Sequence, residues 1–561
     1  MRSFIRLLGK PSTLFLLSYP LLDLLVGVYP SLGLVGYAWI VSVYLLVFLV
    51  GGSAFLRLVA QAREDRQWWT VGSVVAWWLF IIAVAIPERL LSDENIFEFG
   101  CPQLAFRDLL DYGFRSQCFI GYPTRSYLLQ VLPVHFFGFS PFIANLGASL
   151  LLFPGIALLA QAIRIVTERA RTSDLITGLA MLSLFQCALF LRIIYYHDQT
   201  THPVALTMIF IGLVALWIER ADRVAFFALL ALILVSTSMY PPILAVLCLL
   251  AVFLTWNSFR HEVPSGGAKP LLLTGALAVV CFAQTLAYRL DLRLGVGRQH
   301  IDHLSERLQD LGVFIFTQSN GMWYAALPFQ AVFLLFLIGG IFFRFGWQVF
   351  VFCSWSVALI FVSFFASGMS PELAFWKMTG MHRAAPIFPL FVLLVAFGFA
   401  RRIEPYRLSS RAVALLVLCV VVPGIWTVYR LPIPNLPPLS FRVWQVAQRV
   451  TPRGERPVPT LLTRDDIAAL GELPKHYLYL NPDRTYEHYS GSCLPQMPVP
   501  PNTLVVTIDD GACQKNPSRE GFEEVAAWGE LLLGEWQYTA NTIRVYRALP
   551  KPNVQDTDPG R

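Results

Sequence analysis

Residues 87–141 read PERLLSDENIFEFGCPQLAFRDLLDYGFRSQCFIGYPTRSYLLQVLPVHFFGFSP. This stretch is rich in charged and polar side chains. It lies between two apolar segments, near 68–87 and 141–163, each long enough to cross a bilayer. Such a stretch between two spanning segments predicts a large loop on one face of a membrane. Within it, Pro102 fits the first turn and Gly113 the C-terminal cap of a short surface helix. We expect the chemistry of the protein to be located in this loop.

The composition of the chain defines its class. Of the 561 residues, 56% are hydrophobic and 14% are charged, and the mean hydropathy is +0.57. Soluble domains carry about 25% charged residues, so the composition predicts a polytopic membrane protein. The net charge of +7 does not indicate nucleic-acid binding, because the basic residues are scattered between apolar runs. The basic start MRSFIRLLGK lacks an apolar region with a cleavage site, and we interpret it as a retained cytoplasmic anchor.

The apolar segments predict about thirteen transmembrane helices, each close to the length of about 17–25 residues that a bilayer requires. The break at Met239-Tyr240-Pro241-Pro242 is either a tight outer turn or a kink inside one long helix. The segments lie near 12–30, 33–56, 68–87, 141–163, 174–193, 203–218, 224–240, 241–257, 270–288, 322–343, 347–366, 384–400 and 411–430.

Basic residues in the short loops predict the orientation, because cytoplasmic loops are enriched in Lys and Arg. With the N-terminus inside, the inner loops hold Arg57, Arg63 and Arg66; Arg164, Arg169 and Arg171; Arg220 and Arg223; Arg260 and Lys269; Arg344; and Arg401, Arg402, Arg407 and Arg411. The outer side receives the loops 88–140, 195–203, 289–320 and 367–383 and the C-terminal tail. The basic residues of these outer loops are either solvated surface or a binding surface for an anionic lipid head.

The chain divides into an N-terminal transmembrane hairpin (1–67), a main transmembrane domain (68–431) with the outer loop 88–140, and a C-terminal region (432–561). No spanning run occurs in the C-terminal region. The segments 476–480, 502–508 and 541–549 (HYLYL, NTLVVTI and NTIRVYRAL) predict strands, and EGFEEVAAWGELLL at 520–533 predicts an amphipathic helix. The fold class we expect is an all-α polytopic membrane protein with outer amphipathic helices and a small C-terminal α/β domain.

Four cysteines fall on the predicted outer side as two local pairs, Cys101 with Cys118 and Cys493 with Cys513. In an oxidising compartment such pairs predict two disulfides. A zinc site is the alternative, but no Cys-x-x-Cys spacing supports it. The remaining cysteines lie in apolar spans, where a thiol is a small hydrophobic group; they are Cys187, Cys248, Cys281, Cys353 and Cys419.

Three clusters on the predicted outer side hold residue types that carry chemistry. Each has a simpler interpretation: helix capping by Ser92 or Asp93, solvation of an ordinary turn, and interface anchoring by long basic side chains. The clusters are Asp93 and Glu94, just past the span that ends near 87; His197 and Asp198 with His202, in a very short turn; and Lys377, His382 and Arg383, immediately before the span that starts at Ala384.

The order of these features resembles the GT-C superfamily of membrane glycosyltransferases, which includes protein O-mannosyltransferases and lipid A aminoarabinose transferases. The matching stretch runs from about Trp68 to Phe253. It contains the acidic pair, RDLLDYG at 107–113, and Tyr122-Pro123 before a second surface helix that ends in Phe-Phe-Gly. Arg383 with Pro386 is similar to the start of a late span in the family. Here Gly100-Cys101-Pro102 separates the acidic pair from the helix, so Asp93, Glu94 or Glu98 takes the position of the family's acid.

The resemblance implies an inverting transfer of a sugar from a polyprenyl-phosphate donor to a glycan, lipid or protein acceptor, at the outer face of a bacterial inner membrane. It implies a general base at Asp93 or Glu94 and a second acid at Asp198, which orients the acceptor or, with Asp93, holds a divalent cation such as Mg or Mn. The implied donor-phosphate residues are Lys377, His382, Arg383 and Arg298. His197, His202 and Tyr122 are implied to contact the acceptor or to support these groups.

Two other functional classes remain open. A transporter or flippase of lipid-linked sugars tends to place ionisable groups near the bilayer midplane and to have repeated halves. Here the acids lie at the ends of spans and no repeat is visible, which favours the enzyme. A non-catalytic scaffold for envelope assembly predicts that the outer acids are replaceable without loss.

Overall fold

The computed structural model shows a mostly helical chain with a sheet near its C-terminus. It describes residues 11–29, 32–86, 117–118, 122–123, 128–137, 141–168, 170, 172–186, 190–191, 194, 201–239, 270, 273–281, 387–403, 408–430, 439–450, 460–464, 485–489, 494, 499–509, 521–529, 531–533, 536–538 and 542–550.

Some neighbouring helices are joined by a few residues, such as Thr201–Arg220 and Arg223–Met239, whereas a long segment separates Trp69–Ala85 from Leu128–Phe137. A 3-10 turn, Leu184–Gln186, continues the seventh helix. The helices are α1 Pro11–Val28, α2 Gly33–Asp65, α3 Trp69–Ala85, α4 Leu128–Phe137, α5 Pro141–Ser149, α6 Leu152–Thr167, α7 Ser173–Ser183, α8 Thr201–Arg220, α9 Arg223–Met239, α10 Ile387–Ile403, α11 Ser410–Arg430 and α12 Leu439–Val450.

Several of these helices have the length and composition of membrane spans. Four described helices are long and apolar enough to cross a membrane: Gly33–Asp65, Asn145–Thr167, Thr201–Arg220 and Ser410–Tyr429. Shorter apolar helices cover Ser12–Leu25, Trp69–Ala85 and Arg223–Ser236. The predicted spans near 241–257, 322–343 and 347–366 lie outside the described residues, so the number of about thirteen stays a prediction.

Helices α6 and α8 run parallel and approach each other very closely. A Cβ atom at Gly212 would lie 2.4 Å from the Cβ of Leu158 and 2.8 Å from its carbonyl oxygen. Gly155 makes a similar approach to the carbonyl oxygen of Ala205, at 3.2 Å from its own Cβ position. Small residues allow membrane helices to pack backbone against backbone, so this seam holds the centre of the bundle together.

Three ion pairs between described residues lie at one end of the bundle. Arg57 of α2 pairs with Asp222 at 3.1 Å, and Arg164 of α6 pairs with Asp65 at 2.5 Å. Arg220, at the end of α8, pairs with Glu168. We call this the ion-pair end. The basic clusters that predicted the first inner loops therefore meet at one end of the bundle, and the side of the membrane on which that end lies stays a prediction.

Helix α3 begins at the ion-pair end and is capped there by a residue distant in sequence. The Oδ2 of Asp174 accepts a hydrogen bond from the backbone N–H of Trp69 at 2.8 Å, and its Oδ1 accepts one from Thr70 at 3.4 Å. Asp174 is 3% exposed and lies in the first turn of α7. One helical turn further along α7, a Cβ atom at Gly178 would lie 2.7 Å from the Trp69 carbonyl. Helices α3 and α7 are thereby fixed to each other.

The C-terminal region contains a mixed five-stranded sheet. Its strands are β3 Thr460–Arg464, β4 Thr485–Tyr489, β5 Leu504–Asp509, β6 Phe522–Trp528 and β9 Thr542–Ala548, in the order β4-β3-β5-β9-β6. Strands β3, β4 and β5 are parallel, and β9 is antiparallel to β5 and β6. Two further ladders join β1 Gln117–Cys118 to β2 Tyr122–Pro123 and β7 Leu531–Leu533 to β8 Trp536–Tyr538.

Helix α12 covers one face of this sheet. Val443, Val446 and Ala447 of α12 pack with buried residues of β5 and β9, among them Val506 and Val545. The predicted strands at 502–508 and 541–549 are observed as β5 and β9, whereas the one predicted at 476–480 lies outside the described residues. The division of the chain at residues 67 and 431 stays a prediction.

The helix predicted at 520–533 is wrong, because this segment forms strands β6 and β7. Strand β6 pairs with β9, and its register shifts between Glu524 and Ala526. This bulge places Phe522, Val525 and Ala526 in half-buried positions. Counted from Phe522, these residues occupy positions i, i+3 and i+4, which are the apolar positions of an amphipathic helix. The bulge therefore gives a strand the pattern of a helix.

Candidate functional site

Most of the residues predicted to form the site lie outside the described residues, and their roles stay predictions. Of the others, His202 is described with its side chain, whereas Tyr122 and Cys118 are described by their backbone. The site is therefore built from the helix ends that lead into it. The residues outside the described part are Asp93, Glu94, Glu98, His197, Asp198, Arg298, Lys377, His382, Arg383, Cys101, Cys493 and Cys513.

Two of the predicted acidic segments connect to the same end of the bundle. Helix α3 begins at the ion-pair end and finishes at Ala85, shortly before Asp93. Helix α8 ends at Arg220 in the ion-pair end and therefore begins, with Thr201, at the opposite end, just after Asp198. Helix α5, which follows the loop 88–140, contacts both α3 and α8. We call this opposite end the His202 end.

His202 is buried in the first turn of α8. Its side chain is 4% exposed, and its Nε2 atom has no hydrogen-bond partner among the described residues. A buried polar atom without a partner costs about 1–3 kcal/mol. Such an atom in a native structure therefore indicates a place where a partner is supplied from elsewhere. Its position at this end agrees with the predicted site.

Helix α5 adds buried polar side chains that the sequence analysis did not single out. Asn145 is 1% exposed and Ser149 is fully buried. Both lie on the helix that enters the bundle at the His202 end. The signal that would have found them is an amide inside an otherwise apolar segment, since polar groups in a membrane are costly and tend to be functional.

Asp23 of α1 is a third residue that the sequence analysis missed. Helices α1 and α2 are antiparallel, and Trp39 Nε1 donates a hydrogen bond to the carbonyl of Phe15 at 3.1 Å. Asp23 lies farther along α1, toward the start of α2 at Gly33 and thus toward the His202 end. An acid inside an apolar segment is readable from the sequence, and its cost in a bilayer indicates a function.

The segment of the outer loop that contains Tyr122 is extended. Strands β1 and β2 pair in antiparallel register, with Cys118 opposite Tyr122. The second surface helix, expected after Tyr122-Pro123, is observed as Leu128–Phe137. Pro123 accounts for the extended conformation of Tyr122, because a proline disfavours the helical conformation of the residue before it. The disulfide from Cys118 to Cys101 stays a prediction.

A metal site is not formed by the residues that the structure describes. Among them, no group of three or more His, Cys, Asp and Glu side chains is arranged to hold a metal ion. The predicted ligands, Asp93 and Asp198, belong to the part of the chain outside the described residues. Carboxylate oxygens are the ligand type that Mg and Mn prefer, so the predicted donor set suits such an ion.

Comparisons with known proteins give similarity of fold only. No protein-family model and no curated protein matches the chain. Two solved structures of ArnT from Cupriavidus metallidurans, one apo and one bound to undecaprenyl phosphate, are similar to it. Each is 14% identical with a TM-score of 0.48, over 85% of this chain and 97% of that chain. The Archaeoglobus fulgidus oligosaccharyltransferase, in complex with Zn and sulfate, is 13% identical with a TM-score of 0.39, over 74% of this chain and 62% of that chain. Values this low assign no residue a role.

Proposed function

We propose that this protein is an integral membrane glycosyltransferase of GT-C type, which transfers a sugar from a polyprenyl-phosphate donor to an acceptor on the outer face of the membrane. The observation that carries the proposal is the position of two chain connections. The connection that contains Asp93 leaves α3 at the His202 end, and the connection that contains Asp198 enters α8 at the same end. Both acids therefore belong to segments that connect to one end of the bundle. The ion pairs lie at the other end.

The reaction requires a base at the membrane boundary. Asp93, or Glu94 or Glu98 in its place, accepts the proton of the acceptor hydroxyl. The hydroxyl oxygen attacks the anomeric carbon on the face opposite the phosphate and forms the new glycosidic bond. The bond from the anomeric carbon to the phosphate oxygen breaks, and the polyprenyl phosphate leaves with the electron pair. The configuration at this carbon is inverted.

The leaving phosphate requires positive charge. Lys377, His382 and Arg383 precede α10, which begins at Ile387, and Arg298 lies in another predicted outer loop. We assign these side chains to the phosphate, because charge that develops on the leaving oxygen is stabilised best by groups already in place. The polyprenyl tail and the surrounding lipids would lie against the apolar helix faces.

A second acid and a set of buried polar groups complete the proposed site. Asp198 orients the acceptor, with His197, His202 and Tyr122 beside it, or joins Asp93 as a metal ligand. A divalent cation such as Mg or Mn, when bound, would supply positive charge to the phosphate. The buried Nε2 atom of His202 supports a site at this end, since it has no hydrogen-bond partner among the described residues and can bind a polar group of a substrate.

The proposed orientation places the ion-pair end in the cytoplasm of a bacterium and the C-terminal sheet in the periplasm or outside the cell. It is supported by the basic clusters at the ion-pair end, since cytoplasmic loops are enriched in Lys and Arg. Peptide mapping without reduction tests it independently. Bridges from Cys101 to Cys118 and from Cys493 to Cys513 are expected, and free thiols at all four positions would place these loops in a reducing compartment.

The function is tested with purified protein in nanodiscs and a panel of polyprenyl-phosphate sugars. Mass spectrometry should find that one donor is consumed and that its polyprenyl phosphate is released in the presence of a cell-envelope glycan, lipid or protein fraction. Arg383→Ala should raise the donor concentration needed for half-maximal rate and lower turnover. Arg223→Ala is the matched control, because it removes an arginine from the ion-pair end.

Two results would contradict the proposal. If liposomes show that a lipid-linked sugar crosses the bilayer unchanged, the protein is a flippase. If no donor is consumed, and Asn or Gln at Asp93, Glu94, Glu98 and Asp198 leaves the envelope phenotype of the host intact, the protein is a scaffold.

A further inference from the structure

A proline in α11 leaves one backbone carbonyl without its helical donor, and a glutamine from the turn after α7 donates hydrogen bonds to that carbonyl and to the next one. Pro423 lies inside α11 and has no N–H, so the carbonyl of Cys419, four residues earlier, loses its helical hydrogen bond. Gln186 Nε2 donates to that carbonyl at 3.1 Å and to the carbonyl of Val420 at 3.0 Å. An unsatisfied carbonyl is costly inside a bilayer, so this amide stabilises the interrupted helix.

The residues around Gln186 are fixed by contacts with α3. Phe185, beside Gln186, stacks on Trp77 of α3 with ring centroids 3.8 Å apart and planes inclined by 10°. Trp77 Nε1 also donates to the carbonyl of Met181 at 2.9 Å. A Cβ atom at Gly424 would lie 3.2 Å from the Cβ of Phe185, so the two backbones are close here. Gln186 is therefore held in place by α3 and α7 together.

Among the described residues, helix α11 also contacts α7, but few of its apolar residues are buried. In its most apolar stretch 11% of the residues are buried, whereas in the corresponding stretch of α8 94% are buried. Its buried residues are Gly424 and Thr427, next to the proline, and Thr427 Oγ1 donates to the carbonyl of Pro423 at 2.8 Å. Leu415, before Pro423, is 63% exposed, and Tyr429, after it, is 78% exposed. The helix is thus fixed near its proline, and its two halves lie at the periphery.

We propose that Gln186 and Pro423 form a pivot inside the membrane. Pro423 allows α11 to bend, and the hydrogen bonds from Gln186 stabilise the bent helix. The half of α11 after Pro423 ends at Arg430, shortly before α12 begins at Leu439. The angle at the pivot therefore determines where the chain leaves the membrane toward the C-terminal sheet. Gln186 is a positioning residue for that region, and the pivot does not depend on the proposed transfer reaction.

A double-mutant cycle tests the pivot by its thermal stability in nanodiscs. Gln186→Ala should lower Tm by about 2 °C or more, because the Cys419 carbonyl loses its donor and the Val420 carbonyl loses the hydrogen bond from the amide. Pro423→Ala restores a backbone N–H to the carbonyl of Cys419, so the effect of Gln186→Ala should shrink by at least half in that background. Additive effects of the two changes would overturn the proposal. Gln186→Asn keeps the amide on a shorter side chain. It replaces Gln186→Ala in the cycle if that variant does not fold.

A matched control comes from another buried glutamine. Gln161 of α6 is 3% exposed, and its Oε1 atom has no partner among the described residues, whereas Gln186 is 8% exposed and donates two hydrogen bonds. Gln161→Ala should lower Tm less than Gln186→Ala does, because it removes buried aliphatic atoms but breaks no hydrogen bond of the Oε1 atom among the described residues. If it lowers Tm as much as Gln186→Ala does, the loss reflects any buried glutamine and the pivot is refuted.

Mobility distinguishes a pivot from general loosening. A trifluoromethyl-phenylalanine at Tyr429 reports on the half of α11 after the proline, and the same label at Leu415 reports on the half before it. Gln186→Ala should narrow the fluorine line at 429 and leave the line at 415 unchanged, and Pro423→Ala should reverse the change at 429. Equal changes at both positions, or no change at 429, would overturn the proposal.

Discussion

The two ends of the helical bundle differ in how their polar groups are satisfied. At the ion-pair end, Arg57 is paired with Asp222, and the Asp174 carboxylate accepts the backbone N–H groups that begin α3. At the His202 end, the Nε2 atom of His202 is buried without a partner among the described residues. The charged groups named at the first end have protein partners, although the Oε1 atom of Gln61 there has none among the described residues. At the second end the unpartnered atom belongs to a residue of the predicted site. Function is therefore expected at the His202 end, and the ion-pair end is expected to affect stability alone.

The largest expected effect is at Asp93. Asp93→Asn keeps the size and much of the capping ability of the side chain but removes the base, so sugar transfer should fall by about 10²–10⁴-fold while Tm stays near that of the wild type. Asp65→Asn, at the ion-pair end, is the control and should transfer sugar normally. The rates are measured by release of polyprenyl phosphate.

Parallel variants locate the base within its loop. If Asp93→Asn is active and Glu98→Gln is not, the inserted Gly100-Cys101-Pro102 has moved the acid position. Loss of transfer in Asp65→Asn at unchanged stability would remove the distinction between the two ends.

The next effect is on stability, at Asp174. Asp174→Ala leaves the N–H groups of Trp69 and Thr70 buried without an acceptor, which costs about 1–3 kcal/mol. Thermal unfolding in detergent should show a lower Tm, and transfer per folded molecule should not change. Asp174→Asn retains an acceptor oxygen and should lose less. A Tm equal to that of the wild type in Asp174→Ala would mean that another group caps α3.

A smaller effect of opposite sign is expected at His202. His202→Leu removes the buried Nε2 atom that lacks a partner, so Tm should stay the same or rise, by up to about 1 kcal/mol of stability. Sugar transfer should fall, with a larger change in KM for the acceptor than in kcat. Thermal unfolding and transfer kinetics are measured on the same preparation. A lower Tm with normal kinetics would give His202 a structural role. Both ends of the bundle would then contribute to stability alone.

The smallest effect is expected at Arg57. Its side chain is 48% exposed, and exposed ion pairs contribute about 0–1 kcal/mol. Arg57→Ala should therefore change Tm slightly and transfer not at all. The difference from wild type should also shrink at high salt, because salt screens exposed charges. A large loss of stability would show that the ion-pair end acts as one cooperative network.

The sequence predicts the helices well where the signal is local. The spans near 12–30 and 203–218 correspond to Pro11–Val28 and Thr201–Arg220, because the length of an apolar run is a property of neighbouring residues. The inner basic clusters were also readable from the chain. Their partners were not, since Arg57 and Asp222 are 165 positions apart. Pairing over such a distance depends on how helices pack.

The misassigned strand and the missed residues have different causes. At Glu524 a bulge changes the alternation of β6, and no sequence signal separates that pattern from a helix. Asp23 and Asn145 were visible as polar residues in apolar segments, but the burial of Asn145 and the position of both residues toward the His202 end follow from packing. His202 was predicted for the site, and its role there stays a prediction. The remaining predicted site residues lie outside the described part of the chain.

The parallel seam between α6 and α8 has a consequence for biosynthesis. Two helices that cross a membrane in the same direction need a third crossing between them, and the sequence predicts that crossing near 174–193, where α7 begins. When α6 leaves the translocon, the partner that its Gly155 and Leu158 will meet has not yet been synthesised. Helix α6 must therefore remain in the lipid until Gly212 has entered the bilayer. The centre of the bundle is completed late, and the nascent chain passes through a stage in which its tightest contact surface faces lipid.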